Sequence, residues 1–226
     1  LVERSVYEDE NFRSKLKDAA TSLKTGSVWN AGNIVGPMIT NKNDKLLQAF
    51  NLEPGESWLV PPHFIDHREY ILAPTVKWGV KPESFSFRTE LFGPLLSVAC
   101  IENLEEGIKL VNGLDYGLTS GLQSLDEKEQ KLWKNSVMAG NLYINRGITG
   151  AIVNRQPFGG MKLSAFGGGI KAGGPNYCTC SSKSPTNRTA GPTTDRVMPK
   201  PIRKSSQNRE TSTGYMENKT SSAICL

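Results

Sequence analysis

Apolar residues at Phe12, Leu16, Ala19, Ala20 and Leu23 recur at helical spacing, and Gly26 follows as a stop. Residues 27–40 read as loop, broken by Gly32, Gly36 and Pro37. Asp44–Phe50 predicts a short helix. Residues 52–94 are rich in turn formers, with strand-like pieces at 58–60 and 75–80. Beyond Pro94 the pattern becomes regular. Residues 95–101 form a mostly apolar run with the character of a strand. Leu104, Ile108 and Val111 line a helix that ends at Gly113. Thr119–Gln123 predicts another strand. Ser124 and Glu127 have capping-box spacing ahead of a helix carrying Leu132, Trp133 and Val137, with Gly140 as its end. Residues 141–145 predict the next strand. This alternation predicts an α/β fold with a parallel or mixed sheet, in which loops leaving the carboxyl ends of strands build ligand sites. Leu1 and Val2 read as a strand already under way, so an unpaired sheet edge is expected there.

Past Tyr177 the periodicity stops. Nineteen of the 46 residues from 181 to 226 are Ser, Thr or Pro, and the segment has no Phe or Trp. Such a stretch buries too little apolar surface to offset its ordering entropy, so residues 178–226 are expected to be a disordered, basic, Ser/Thr/Pro-rich tail. Eight of the 27 basic residues and three of the 22 acidic ones lie in 181–226. Residues 1–180 therefore hold 19 of each sign, and the net charge of +5 belongs to the tail. With Tyr215 as its one aromatic, the tail suits weak electrostatic contact with nucleic acid but not base stacking, and no specific nucleic-acid binding is expected. The two glycosylation sequons in it, at Asn187 and Asn218, are chance matches in a Ser/Thr-rich segment.

Four cysteines, Cys100, Cys178, Cys180 and Cys225, form no Cys-x-x-Cys pair. They point to a reducing, cytoplasmic setting without disulfides. His63 and His67 are four apart, but Pro61-Pro62 precede them and no third ligand is near; no metal site is expected. The charged first residues do not resemble a signal peptide, and no apolar run approaches the roughly 20 residues a membrane span needs.

Three segments carry chemistry together. They are Glu90-Leu91-Phe92-Gly93-Pro94 before a strand, then Asp115-Tyr116-Gly117-Leu118-Thr119-Ser120-Gly121, then Gly140-Asn141-Leu142-Tyr143-Ile144-Asn145 running on to Gln156-Pro157-Phe158-Gly159-Gly160. In content, order and spacing they resemble the aldehyde dehydrogenase superfamily. Two further stretches, residues 145–153 (NRGITGAIV) and 171–177 (KAGGPNY), narrow the resemblance to 1-pyrroline-5-carboxylate (L-glutamate γ-semialdehyde) dehydrogenases, including the second half of bifunctional proline-oxidising proteins. The resemblance covers residues 1–177 and implies the C-terminal part of the aldehyde dehydrogenase catalytic domain.

The resemblance assigns roles. Backbone N–H groups of Gly150 and Ala151 would anchor the substrate carboxylate, as clustered amides suit an anion. Phe158 would pack on the aliphatic part of the aldehyde. Glu90 would hold the nicotinamide ribose hydroxyls, with Phe92 beside the nicotinamide. The implied cofactor is NAD, with NADP left open because that choice lies in an upstream domain. Family catalysis is covalent: a cysteine thiolate attacks the aldehyde, hydride passes to the dinucleotide, and water hydrolyses the thioester. The resemblance places that cysteine upstream of Leu1, so no catalytic residue is expected in this chain, which alone would be inactive. Cys100, within an apolar strand, reads as a small buried hydrophobe. No Gly-x-Gly-x-x-Gly follows a strand, and Gly167–Gly169 lack a phosphate-loop ending.

Family members associate through a strand after the Pro-Asn-Tyr. Here Cys178-Thr179-Cys180-Ser181-Ser182 stands in its place, so the homo-oligomer of the family is not expected to carry over directly. Two alternatives stay open beside an enzyme fragment. One is a chain that binds ligand or subunits without turnover. The other is an aldehyde dehydrogenase with a different small-molecule aldehyde substrate.

Overall fold

A computed structural model describes residues 1–41, 43–149, 156–166, 171–174 and 223–225. The chain opens with β1 (Val2–Glu3), a single turn α1 (Arg4–Tyr7) and α2 (Glu10–Ser22). The Asp9 carboxylate starts α2 by accepting from the Asn11 amide at 2.8 Å. Phe12, Leu16 and Ala20 turn towards the sheet and pack on Val2, Val60, Val76, Trp78 and Val98. Ala19 and Leu23, also in the helical pattern, stay exposed. α3 (Asp44–Phe50) begins at Asn43, whose side chain accepts from the Leu46 amide at 2.9 Å, and it buries Leu46 and Ala49 against Leu72 and Leu91.

A three-stranded sheet follows, β2 (Ser57–Val60), β3 (Thr75–Trp78) and β4 (Leu95–Val98), in that order. β2 and β3 are antiparallel and β3 and β4 parallel. The short helix α4 (Phe85–Arg88) lies in the connection before β4. The single strand expected over 95–101 is divided. β4 belongs to the three-stranded sheet, whereas β5 (Cys100–Ile101) pairs with β1 in another. Ala99 is the hand-over: Val98 O accepts from Val80 N at 3.0 Å, and Ala99 O accepts from Val2 N at 2.9 Å.

The second sheet has five strands in the order β5-β1-β10-β7-β8, with β7 (Thr119–Gln123), β8 (Asn141–Ile144) and β10 (Ala223–Cys225). α5 (Leu104–Asn112) and α6 (Glu127–Ser136) cover it. Leu104, Ile108 and Val111 meet Leu122, Trp133, Val137 and Ala139 in one buried cluster. The cap of α6 falls to Asp126, which accepts from the Lys128 amide at 2.7 Å, rather than to Ser124. Ser124 instead accepts from the Asp126 amide at 3.1 Å and donates to Glu129 at 2.5 Å. A two-stranded ribbon of β6 (Tyr116–Gly117) and β9 (Met161–Lys162) completes the described elements.

Two expectations change. The disordered tail expected over 178–226 lies outside the described residues except at its end, where Ala223–Cys225 form β10. Three residues suffice there because partners on both sides supply hydrogen bonds. Consequently β1 has no open edge: β5 flanks it on one side and β10 on the other. Among the described residues no helix is long and apolar enough to cross a membrane. His63 and His67 sit in a loop rather than on a helix face.

Lys77, at the centre of β3, is fully buried and donates to Glu56 Oε2 at 3.0 Å and to Asn51 O at 2.8 Å. Burial alone would raise the Glu56 carboxyl, but the Glu53 amide, Lys77 and Ser84 outweigh it and hold it below the usual carboxylate range. A folded-state pKa lowered in this way contributes stability above the unfolded value, which is lost as pH falls through the folded one. Lys77→Met leaves Glu56 buried without its cation and is expected to cost about 3–5 kcal/mol at neutral pH in urea unfolding. The acid loss of stability is expected to begin at higher pH in that variant, and Lys77→Met with Glu56→Leu is expected to recover most of the deficit.

Candidate functional site

The second and third motif segments meet. Gly140 N donates to Gly117 O and Asn141 N to Leu118 O, both at 3.0 Å. The buried Asn141 side chain donates to Leu118 O at 3.2 Å and to Gly159 O at 3.0 Å, tying β8 to both neighbours. A Cβ on Gly140 would overlap Gly159 O, and one on Gly160 would overlap Ser164 O. These glycines are therefore required by chains crossing at backbone contact distance. Gly140 does not end α6, which stops four residues earlier at Ser136.

The chain leaves β8 through Asn145, a non-glycine residue with φ of 53°. Asn is tolerated in that left-handed region. Its side-chain amide also locks the turn ahead of α6, accepting from Ser124 N and donating to Ser124 O, both at 2.9 Å. Next, Arg146 lays its guanidinium 5.0 Å from the Tyr143 ring centre, and its carbonyl accepts from Gln123 at 3.2 Å. On the return, Gln156 Nε2 donates to the Tyr143 hydroxyl at 3.2 Å. Both ends of the intervening loop are thus held over one buried tyrosine. Gly150 and Ala151, the expected carboxylate anchor, lie outside the described residues.

Phe158 is half-buried, and its backbone exchanges hydrogen bonds with Ala172 at 3.0 and 2.8 Å. This joins the 156–160 segment to the start of the 171–174 segment. Lys162 closes the assembly. Its ammonium donates to the carbonyls of Leu114 at 2.7 Å, Asn112 at 2.9 Å and Val111 at 3.4 Å, capping the carboxyl end of α5. Burial pulls its pKa down, opposed by Asp115. The roles of Tyr143, Gln156 and Lys162 went unread in the sequence. The one available signal was a lysine two residues after a Gly-Gly pair.

Segment 90–94 sits beside the other sheet. Leu91 is buried with Leu46, Ala49 and Leu72, while Glu90 is exposed and Phe92 is 74% exposed. Phe92 has φ of 49°, an unfavourable left-handed conformation for a bulky residue. An aromatic held strained and outward does nothing for the core, and such outliers gather at functional sites. Cys100 is half-buried in β5; burial, above all, pushes its thiol up, away from the thiolate form a nucleophile needs. Among the described residues no group of three or more His, Cys, Asp or Glu is arranged to hold a metal.

These geometries separate two kinds of position. Phe92→Gly is expected to hold stability within about 1 kcal/mol of the unsubstituted chain in urea unfolding, because relief of left-handed strain offsets the backbone entropy of glycine. A core role for Phe92 would instead produce a loss of about 3 kcal/mol or more. Gly140→Ala forces a side chain into the Gly159 carbonyl and is expected to cost about 3 kcal/mol.

The aldehyde dehydrogenase family model matches residues 1–184. The 1-pyrroline-5-carboxylate dehydrogenase of Bacillus pumilus is 32% identical over 82% of this chain and 36% of its own length. Among solved structures, proline utilization A of Corynebacterium freiburgense is 41% identical with a TM-score of 0.72, over 80% of this chain and 19% of that one. A Thermus 1-pyrroline-5-carboxylate dehydrogenase with bound NAD is 29% identical with a TM-score of 0.66, over 78% of this chain and 34% of that one. The chain thus spans about a third of the length of the curated relatives it matches. With its three motif segments in family order and its elements superposing on family structures, this chain belongs to the aldehyde dehydrogenase family.

Proposed function

We infer that this chain carries the substrate-anchoring loop and one edge of the cofactor site of an NAD-dependent dehydrogenase acting on L-glutamate γ-semialdehyde in proline oxidation. The observation that carries the reading is the outward, left-handed Phe92 beside exposed Glu90, with only Leu91 between them in the core. That is the disposition expected if Glu90 accepts from ribose hydroxyls while Phe92 packs near a nicotinamide. The names of the Bacillus and Thermus relatives, and the NAD in the latter, support the substrate and cofactor.

In this reading the N–H groups of Gly150 and Ala151 hold the substrate carboxylate and Phe158 shields its methylenes. Orientation of the aldehyde is then set at the end remote from the reacting carbon. Bound NAD would supply the hydride acceptor. Cys100 is poorly suited to be the nucleophile, since burial pushes its thiol away from the thiolate form. A soluble, cytoplasmic setting goes with this function.

The test is to graft residues 1–177 into the matching region of the Thermus enzyme and measure steady-state kinetics. Gly150→Val in the graft is expected to raise KM for the semialdehyde at least about tenfold, the equivalent of losing one charge-assisted hydrogen bond. KM for propionaldehyde, which has no carboxylate, is expected to change less than about twofold. Equal effects on both aldehydes would overturn the anchor assignment.

A further inference from the structure

Asn141, at the start of β8, is a buried polar side chain whose cost has no return in packing. It is 3% exposed. Its Nδ2 donates to Leu118 O at 3.2 Å and to Gly159 O at 3.0 Å. Its Oδ1 is buried as well and accepts from no group among the described residues. Both partners of Nδ2 are carbonyls, so the amide cannot be turned round to relieve the oxygen. A buried acceptor left unpaired is costly. Valine would fill a buried strand position of this size without that cost. The amide is therefore accounted for by its two donors, not by the volume it fills.

Those donors hold the stretch that bears Phe158. Gly159 follows it directly, and the Gly159 carbonyl is fixed from two sides: Asn141 bonds it, and Gly140 lies where a Cβ would overlap it. On the other side, Phe158 N donates to Ala172 O at 3.0 Å and Ala172 N to Phe158 O at 2.8 Å. Asn141 contributes a side chain to this seat, whereas the Gly140 and Ala172 contacts are made by backbone. The Phe158 ring is half-buried and belongs to none of the three buried clusters. Its direction is thus set by the peptides on either side of it.

We propose that Asn141 is a specificity-determining positioning residue: through its bond to Gly159 O it sets where the Phe158 ring stands, and so how the site fits an aldehyde that carries a carboxylate. The proposal rests on the reading of Phe158 given above. Asn141 itself touches no substrate. An aldehyde held at both ends cannot follow a displaced ring, whereas a short alkyl aldehyde can shift with it.

The full 226-residue chain gives the first measurement. Asn141→Val is expected to speed hydrogen exchange of the Phe158 and Ala172 amides at least about tenfold more than that of the β7 and β8 amides. A merely structural role would speed all of them alike. Asn141→Asp adds a pH readout, because a neutral carboxyl donates to one carbonyl and an ionised one to neither. Its exchange rate at Phe158, relative to the unsubstituted chain at the same pH, is expected to fall towards one as pH is lowered. The second measurement uses the graft of residues 1–177 in the Thermus enzyme. There Asn141→Val is expected to raise KM for the semialdehyde at least about fivefold more than KM for propionaldehyde. In a Phe158→Ala background the same substitution is expected to add less than about twofold, since it acts through that ring. Exchange at Phe158 and Ala172 that Asn141→Val leaves unchanged, or raises no more than elsewhere in the sheet, would overturn the proposal. So would a large effect of Phe158→Ala on the semialdehyde with none from Asn141→Val. No effect of Phe158→Ala on that substrate would instead overturn the reading of Phe158, and the specificity role with it. Should Asn141→Val not fold, the pH dependence of Asn141→Asp decides the question.

Discussion

Much of the proposed site hangs on one backbone crossing. Gly140 bonds through its amide to the Gly117 carbonyl, the Gly159 carbonyl lies against Gly140 where a Cβ would stand, and the Asn141 side chain donates to Gly159 O to pin the junction. Because a Cβ has no room there, β8 is held at a fixed height relative to the ribbon of β6 and β9. That height places Tyr143, and Tyr143 in turn holds both ends of the loop between Arg146 and Gln156. The Gly-rich segments of the motif thus have a structural cause before any ligand is considered. A loop of that kind can present amides to an anion because the surrounding chain has already been immobilised at low entropic cost.

The second half of the site depends on different forces. Segment 90–94 is placed by Leu91 in the cluster around α3 and by Pro94 O, which accepts from Thr75 N at 2.9 Å at the start of β3. β3 is anchored by the buried Lys77–Glu56 pair at its centre. The two halves are joined at the hand-over at Ala99, where one extended run leaves the three-stranded sheet and joins the five-stranded one.

Local patterns explain what could be read in advance. α3, α5 and β7 match expectation because their local pattern agrees with their packing, and in α5 the stop at Gly113 falls where it is expected. The division of 95–101 was hidden because an apolar extended run looks the same whether it pairs in one sheet or two; only its partners, Thr75–Trp78 and Val2–Glu3, distinguish them. Asp126 displaced Ser124 as the α6 cap because the Ser124 hydroxyl is already engaged, accepting from the Asp126 amide and donating to Glu129. Lys77 was illegible because a lysine in a strand reads as an outward position until Glu56, 21 residues earlier, is brought under it. β10 was illegible for a similar reason. A three-residue strand has too little pattern of its own, and its order comes from the two edges it joins.

Of the site residues expected from family resemblance, Phe92 gives the clearest physical signal, and it is a signal of cost. A bulky aromatic in the left-handed region forgoes about 1–2 kcal/mol, and one left 74% exposed recovers little of the burial that would compensate. The buried neighbour Leu91 explains why the backbone tolerates the strain, since moving it would unpack Leu46 and Leu72. It does not explain why the residue is aromatic, because glycine or asparagine would satisfy the same backbone at lower cost. An exposed, strained aromatic is stabilised when a flat ligand covers it, and the strain then favours the bound state by having already fixed the ring's direction. That asymmetry, with the backbone explained by the protein and the side chain left without a role in packing, is the ground for proposing Phe92 as a binding residue.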